Sequence, residues 1–232
     1  MSDAIRRDLC PLPELLAHAR FDLIIDAALF GSSTRSRVER HGMFWEDGGG
    51  SWLQVVLLAG DRAVVLGVDR DYSRTVTADA VDLLTGLPDW VADAARTRDD
   101  GQGEDWLGFV LWWEDGSWWS IEHPVDDGAA SVSILQPFTE AVQREAVEEA
   151  VNVAALDHLR EDDPREEQLV DPESVRRLVA AGSTVDESLL LDALIYEELH
   201  LDHAVAVARS AGMIYPARTA LEARGMADGT AR

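Results

Sequence analysis

The segment Phe44-Trp45-Glu46-Asp47-Gly48-Gly49-Gly50-Ser51-Trp52 reappears, two glycines shorter, as Trp112-Trp113-Glu114-Asp115-Gly116-Ser117-Trp118. Asp-Gly between apolar runs signals a β-hairpin, because both central residues of a type I′ turn need positive φ. A chain carrying this signal twice is pushed toward antiparallel sheet. In each copy a second turn follows, at Gly60-Asp61 and at Asp126-Asp127-Gly128. A third apolar run comes next, Ala63–Val68 in one and Ser131–Leu135 in the other. The expectation is two three-stranded antiparallel meanders, an internal duplication, each followed by helix.

The shorter copy can be registered by counting. With Asp115-Gly116 as a two-residue turn, Glu114 faces Ser117, Trp113 pairs with Trp118, and Trp112 pairs with Trp119. Alternation puts the two Trp pairs on opposite faces. One face then reads Leu107, Phe109, Leu111, Trp113, Trp118, and the other Trp106, Val110, Trp112, Trp119, Ile121. A sheet wet on one side alternates apolar with polar, and this one does not. Each face therefore needs a cover: a helix layer, a second sheet, a partner or a ligand.

Helical signals surround the hairpins. Leu15, Leu16, Ala19, Leu23, Ile24 and Ala27 recur near a 3.6 period and predict a helix over Pro13–Phe30. A second apolar stripe predicts helix over Thr139–Leu159. Asp171-Pro172 reads as an N-cap with proline at the first helical position, and Thr184 with Glu187 as a capping box opening a helix to about Ser210. The charged run Glu161–Glu167 is the linker candidate. The fold class expected is α+β, two antiparallel three-stranded meanders covered by helices. Residues 1–160 form its main domain and residues 165–225 a helical extension packed on it.

A chain of 232 residues that is 47% hydrophobic can bury a real core. No apolar run reaches the roughly 18 residues of a membrane span, and Met1–Pro13 has no apolar signal-peptide core. Cys10 is the single cysteine, so no internal disulfide can form. A reducing cytoplasm is the expected compartment.

The net charge is −24, and all 20 basic residues are arginine. Coding bias or a halophile-type surface accounts for a total of that kind. The distribution is more specific: residues 101–200 carry −19 of the −24. An acidic region repels nucleic acid and anionic lipid and attracts cations. The expected partner is a basic protein surface, with no nucleic acid and no membrane.

Candidate chemistry is sparse. Glu197 and His200, three apart on a predicted helix, project to one side, and His203 follows. Glu-x-x-His is how helical bundles present di-metal ligands, but such bundles need it on two helices and the chain has it once. His123 beside Glu122, near Asp126 and Asp127, offers a carboxylate–imidazole pair for acid–base work, or only a polar strand end. Cys10 has no local base. The glycines at 48–50 lack the Lys-Ser/Thr of a phosphate loop. All eight tryptophans fall between 45 and 119, and exposed tryptophans bind sugars, bases or cationic groups, whereas buried ones fill a core.

These observations rank three functions. The first is a non-catalytic acidic interaction protein, of the immunity, inhibitor or adaptor type, needing no cofactor. Its binding residues are Trp112, Trp113, Trp118, Trp119, Glu114, Asp115 and Glu122. The second is a metal-dependent enzyme using Glu197, His200 and His203. The third is a small-molecule binder with a Trp-lined pocket.

Overall fold

A computed structural model describes residues 4–30, 36–39, 41–77, 81–96, 106–137, 139, 141, 173, 177 and 201–210. Two compact units make up the chain, Met1–Ala19 with Thr34–Phe138, and Arg20–Ser33 with Thr139–Arg232.

The first unit is built on one seven-stranded antiparallel sheet. Its strands are β1 (Ala4–Arg7), β2 (Arg37–Glu39), β3 (Gly42–Glu46), β4 (Trp52–Leu58), β5 (Arg62–Val68), β6 (Phe109–Glu114) and β7 (Ser117–Ile121). Their order is β1-β7-β6-β5-β4-β3-β2. Strands β2 to β7 run as a continuous meander, and the N-terminal strand closes the far edge against β7. The class is therefore mixed α+β.

The second hairpin has the counted register: Glu114 opposite Ser117, Trp113 opposite Trp118, Trp112 opposite Trp119. Asp115 and Gly116 take φ of 51° and 73°, as a type I′ turn requires. Trp113 and Trp118 meet edge-to-face, with centroids 5.2 Å apart.

The longer copy pairs differently. Here Glu46 lies opposite Trp52, and Trp45 opposite Leu53. Asp47 Oδ1 accepts the Gly49 and Ser51 N–H groups at 2.6 and 3.0 Å, and Asp47 N–H bonds the Ser51 carbonyl. This draws Ser51 into the turn, so that five residues, 47–51, separate the paired Glu46 and Trp52, and the register shifts by one. A one-residue shift flips a side chain across the sheet. Trp118 thus packs in the same core as Trp113, whereas Trp52 packs away from Trp45, stacked on Phe44 at 6.1 Å.

The expected third strand of the second meander is absent. Ser131–Leu135 lies within two 3-10 turns, Ala129–Ser131 and Ser133–Leu135, whose N–H groups bond three residues back. The pairing edge of β7 is taken by β1 instead. The arrangement is one sheet rather than two matching meanders.

Both faces of the sheet are covered within this unit. Helix α1 (Leu12–Phe30) and the 3-10 turns bring Leu12, Leu15, Ala19, Ile134 and Leu135 onto Val55, Val65, Leu111, Trp113 and Trp118. Helix α2 (Asp89–Arg96) and the segment before it bring Leu83, Val91, Ala94 and Ala95 onto Val64, Leu66, Val110 and Trp112. Burying a side chain such as Leu66 or Leu111 completely contributes about 2 kcal/mol, so both layers matter to stability. Arg62 lies over the Trp90 ring at 4.8 Å and helps dock α2 on β5.

The face assignment fails just before β6. Leu107 belongs to the α2-side core, not with Phe109, and Trp106 is exposed. The strand starts at Phe109, so alternation does not extend back through Gly108.

In the second unit, Leu23, Ile24 and Ala27 of α1 are buried. Helix α3 (Leu201–Ser210) falls at the end of the helix expected from Thr184. The expected Thr139–Leu159 helix, the Glu161–Glu167 linker and the Asp171-Pro172 cap lie essentially outside the described residues.

Candidate functional site

Antiparallel pairing brings four loops to one end of the sheet: residues 47–51, 69–77, 106–108 and 122–128. The last three are fastened together by Ser73, Arg74 and Thr75. The Ser73 hydroxyl accepts the Asp69 N–H at 2.9 Å and donates to the Asp127 carbonyl at 2.7 Å. Thr75 Oγ1 donates to the Gly108 carbonyl, and Arg74 N–H to the Asp126 carbonyl. Asp69 is buried, and its Oδ1 caps the turn by accepting the Asp71 and Tyr72 N–H groups. Glycine is needed where these loops touch: a Cβ on Gly108 would sit 2.4 Å from Ser73 Oγ, and one on Gly128 2.7 Å from Ser73 N.

Asp127 is the second buried carboxylate of this end, beside Asp69. Arg7 donates to both of its oxygens, at 2.9 and 3.0 Å, and Ala129 N–H donates to Oδ1 at 3.0 Å. The carboxylate is therefore committed to holding β1 and the 3-10 turn. Partial burial holds the His123 imidazole below its ordinary value, with Arg7 adding to the effect and Asp127 opposing it. A carboxylate spanned by an arginine has little left to offer a catalytic imidazole. The geometry makes Asp127 a structural clamp.

The residues singled out in the sequence are dispersed. Trp112, Trp113 and Trp118 are core residues, and Trp119 is half-buried. Trp118 Nε1 donates to the Cys10 carbonyl at 2.7 Å. Glu114 and Asp115 sit at the hairpin tip, half-buried and exposed, and Glu122 is exposed at the other end of β7. Five residues of strand separate the two ends, roughly 15 Å at strand rise. His203 is half-buried on α3, whereas Glu197 and His200 lie outside the described residues. Among the described residues no three His, Cys, Asp or Glu side chains are grouped to hold a metal ion.

Two other candidates resolve into structure. The Gly49 and Ser51 amides, which a phosphate would need, are already taken by Asp47. Burial, with Glu14 nearby, pushes the Cys10 thiol up to about 12, where it is a poor nucleophile.

Sequence reasoning missed Tyr72 and misplaced Trp106. Each is more than half exposed, at 56% and 53%. The signal for Trp106 was present in Gly101-Gln102-Gly103-Glu104-Asp105, a polar run that argues against a strand beginning before Gly108. Tyr72 had no such signal. Comparison of the chain with family models, with curated proteins and with solved structures gives no match in any of the three.

Proposed function

We propose that this chain is a non-catalytic interaction protein whose acidic surface binds a basic protein partner. The observation that carries the reading is what the carboxylates of the β6–β7 region do. Glu114, Asp115, Glu122 and Asp126 reach the surface wholly or in part, and no arginine occurs between Trp106 and Pro137. Among the described residues none of the four pairs with a cation, whereas buried Asp127 is neutralised by Arg7. Carboxylates left open to solvent create a field that steers cationic partners and rejects phosphate backbones. Arginine-rich protein surfaces are the chemistry that answers it.

The reading concerns a binding surface and takes no membrane role: no described helix is long and apolar enough to cross a membrane. A Trp-lined pocket in the β6–β7 hairpin finds less support, because three of its four tryptophans are core.

The test measures association of the full chain with small basic proteins of differing charge. The fourfold variant Glu114→Gln, Asp115→Asn, Glu122→Gln, Asp126→Asn is expected to slow association at least about tenfold at low salt. Raising salt from about 50 to about 300 mM should weaken wild-type binding comparably. Binding that ignores both salt and the fourfold substitution overturns the reading.

A further inference from the structure

Three large apolar side chains are exposed among the described residues: Val38, Tyr72 and Trp106. Val38 stands alone on the three-residue strand β2. Tyr72 and Trp106 stand at the same end of the sheet, on loops bonded to each other. Tyr72 adjoins Ser73, and Ser73 Oγ is the atom a Cβ on Gly108 would strike, at 2.4 Å. Trp106 precedes Gly108 by two residues, and Gly108 is tied in turn to Thr75. Both aromatics are thus held by one hydrogen-bonded junction rather than by separate tips.

Their surroundings are acidic. Asp71, Glu122 and Asp126 are exposed on the same set of loops, and Glu104-Asp105 directly precedes Trp106 in sequence. Two exposed arginines stand on the same loops, Arg70, which donates to the Gly49 carbonyl at 2.8 Å, and Arg74, so that among the described residues the exposed carboxylates outnumber them three to two. An exposed indole and phenol on fixed loops are what the core of a protein contact needs, because rigid aromatics supply area at little entropic cost. Aromatic faces in a field of carboxylates favour cations over anions, and guanidinium most of all.

We infer that Tyr72 and Trp106 form the centre of the surface that binds the basic partner. Arginine side chains stack on the two rings while Asp71, Glu122 and Asp126 pair with flanking cations. This rests on the reading proposed above and narrows it, placing the contact at residues 69–74, 106–108 and 122–128 and leaving Glu114 and Asp115, at the opposite end of the sheet, to long-range steering alone. Nucleobases, which also stack on aromatics, are disfavoured by the same carboxylates.

The probe is a labelled nine-residue arginine peptide, titrated into the full chain and followed by fluorescence anisotropy. The Tyr72→Ser/Trp106→Ser double variant is expected to lose about tenfold or more in affinity, as loss of an aromatic anchor does. Asp61→Asn, at the opposite end of the sheet, should stay within about twofold, as a single distant surface charge does. In wild type, bound peptide should also shield the Trp106 component of acrylamide quenching, identified by difference from Trp106→Phe. That measurement stands if the double variant folds poorly. Salt-sensitive peptide binding that neither shields Trp106 nor needs the two rings overturns this assignment and leaves the basic-partner reading standing. If wild type binds no arginine peptide at any salt, both fall. Tight binding of a neutral oligosaccharide or of oligo-dT to the same rings, in place of the peptide, also overturns the assignment.

Discussion

Arg7 and Asp127 lie 120 residues apart, yet their side chains meet in two hydrogen bonds, Nη1 to Oδ2 at 2.9 Å and Nη2 to Oδ1 at 3.0 Å. Through this fork the N-terminal strand grips the loop that leaves β7. The Arg7 side chain is 19% exposed and that of Asp127 6%, so the pair is largely withdrawn from water. Breaking such a pair by removing one partner leaves the other charge uncompensated.

The first prediction follows from that burial. Asp127→Asn keeps the shape and the acceptor for Ala129 N–H but leaves Arg7 without its counter-charge. It should destabilise the first unit by about 2–3 kcal/mol, seen as a drop of the thermal midpoint by roughly 5–10 °C. A double-mutant cycle with Arg7→Met should return a coupling of about 1–3 kcal/mol. Additive single effects would show that the fork contributes nothing beyond the separate side chains.

The second prediction concerns acid. Burial lowers the His18 imidazole from 6.5 to about 4, opposed by a hydrogen bond with the Ile134 backbone. An unfolded chain takes up this proton near its ordinary value, while the folded one resists it until about pH 4. Stability from His18 is therefore complete above about pH 6.5 and falls as pH drops toward 4, by up to about 3 kcal/mol. His123, lowered by partial burial, acts in the same direction. Urea midpoints measured from pH 7 to pH 4 should fall less steeply for His18→Gln than for wild type. Parallel curves would sink the prediction.

The third separates backbone strain from packing. Gly116 and Gly128 share nearly the same left-handed backbone, with φ of 73° and 78°. A Cβ on Gly116 meets nothing within 4 Å, whereas one on Gly128 meets Ser73 Oγ at 2.5 Å and Ser73 N at 2.7 Å. Gly116→Ala should then cost only the αL penalty, about 1 kcal/mol. Gly128→Ala adds overpacking against a fixed backbone atom and should cost about 2 kcal/mol more. Equal losses in denaturant titrations would mean that the Ser73 junction yields freely.

These sites show which parts of the fold were legible. The register from Trp112 to Trp119 could be counted because two local residues, Asp115 and Gly116, set it alone. The same letters at 44–52 gave another register, because a side chain, the Asp47 carboxylate, decides how many residues the tip contains. Strand β1 is four residues long, too short for a period, and its partner β7 lies more than 100 residues away. Ser131–Leu135 has a strand's composition, but β1 already fills the edge it would have paired with. At the candidate surface, carboxylate positions were visible as charge. The polar run before Trp106 hinted at its exposure, but that of Tyr72 was not legible, because it depends on where Ser73 and Thr75 tie three loops together.

The last prediction contrasts two buried serines. The Ser73 hydroxyl has two backbone partners, the Asp69 N–H and the Asp127 carbonyl. Ser120, opposite Ile5 in β7 and only 1% exposed, has its Oγ buried with no hydrogen-bond partner among the described residues. Removing a satisfied buried hydroxyl strands its partners, while removing an unsatisfied one relieves a desolvation cost. Ser73→Ala should therefore lose about 1–2 kcal/mol, and Ser120→Ala should be neutral or gain up to about 1 kcal/mol. The sign of the difference in chemical denaturation is the readout. A loss at Ser120 matching that at Ser73 would mean that its hydroxyl is bonded in solution, by water or by a small shift of the neighbouring backbone.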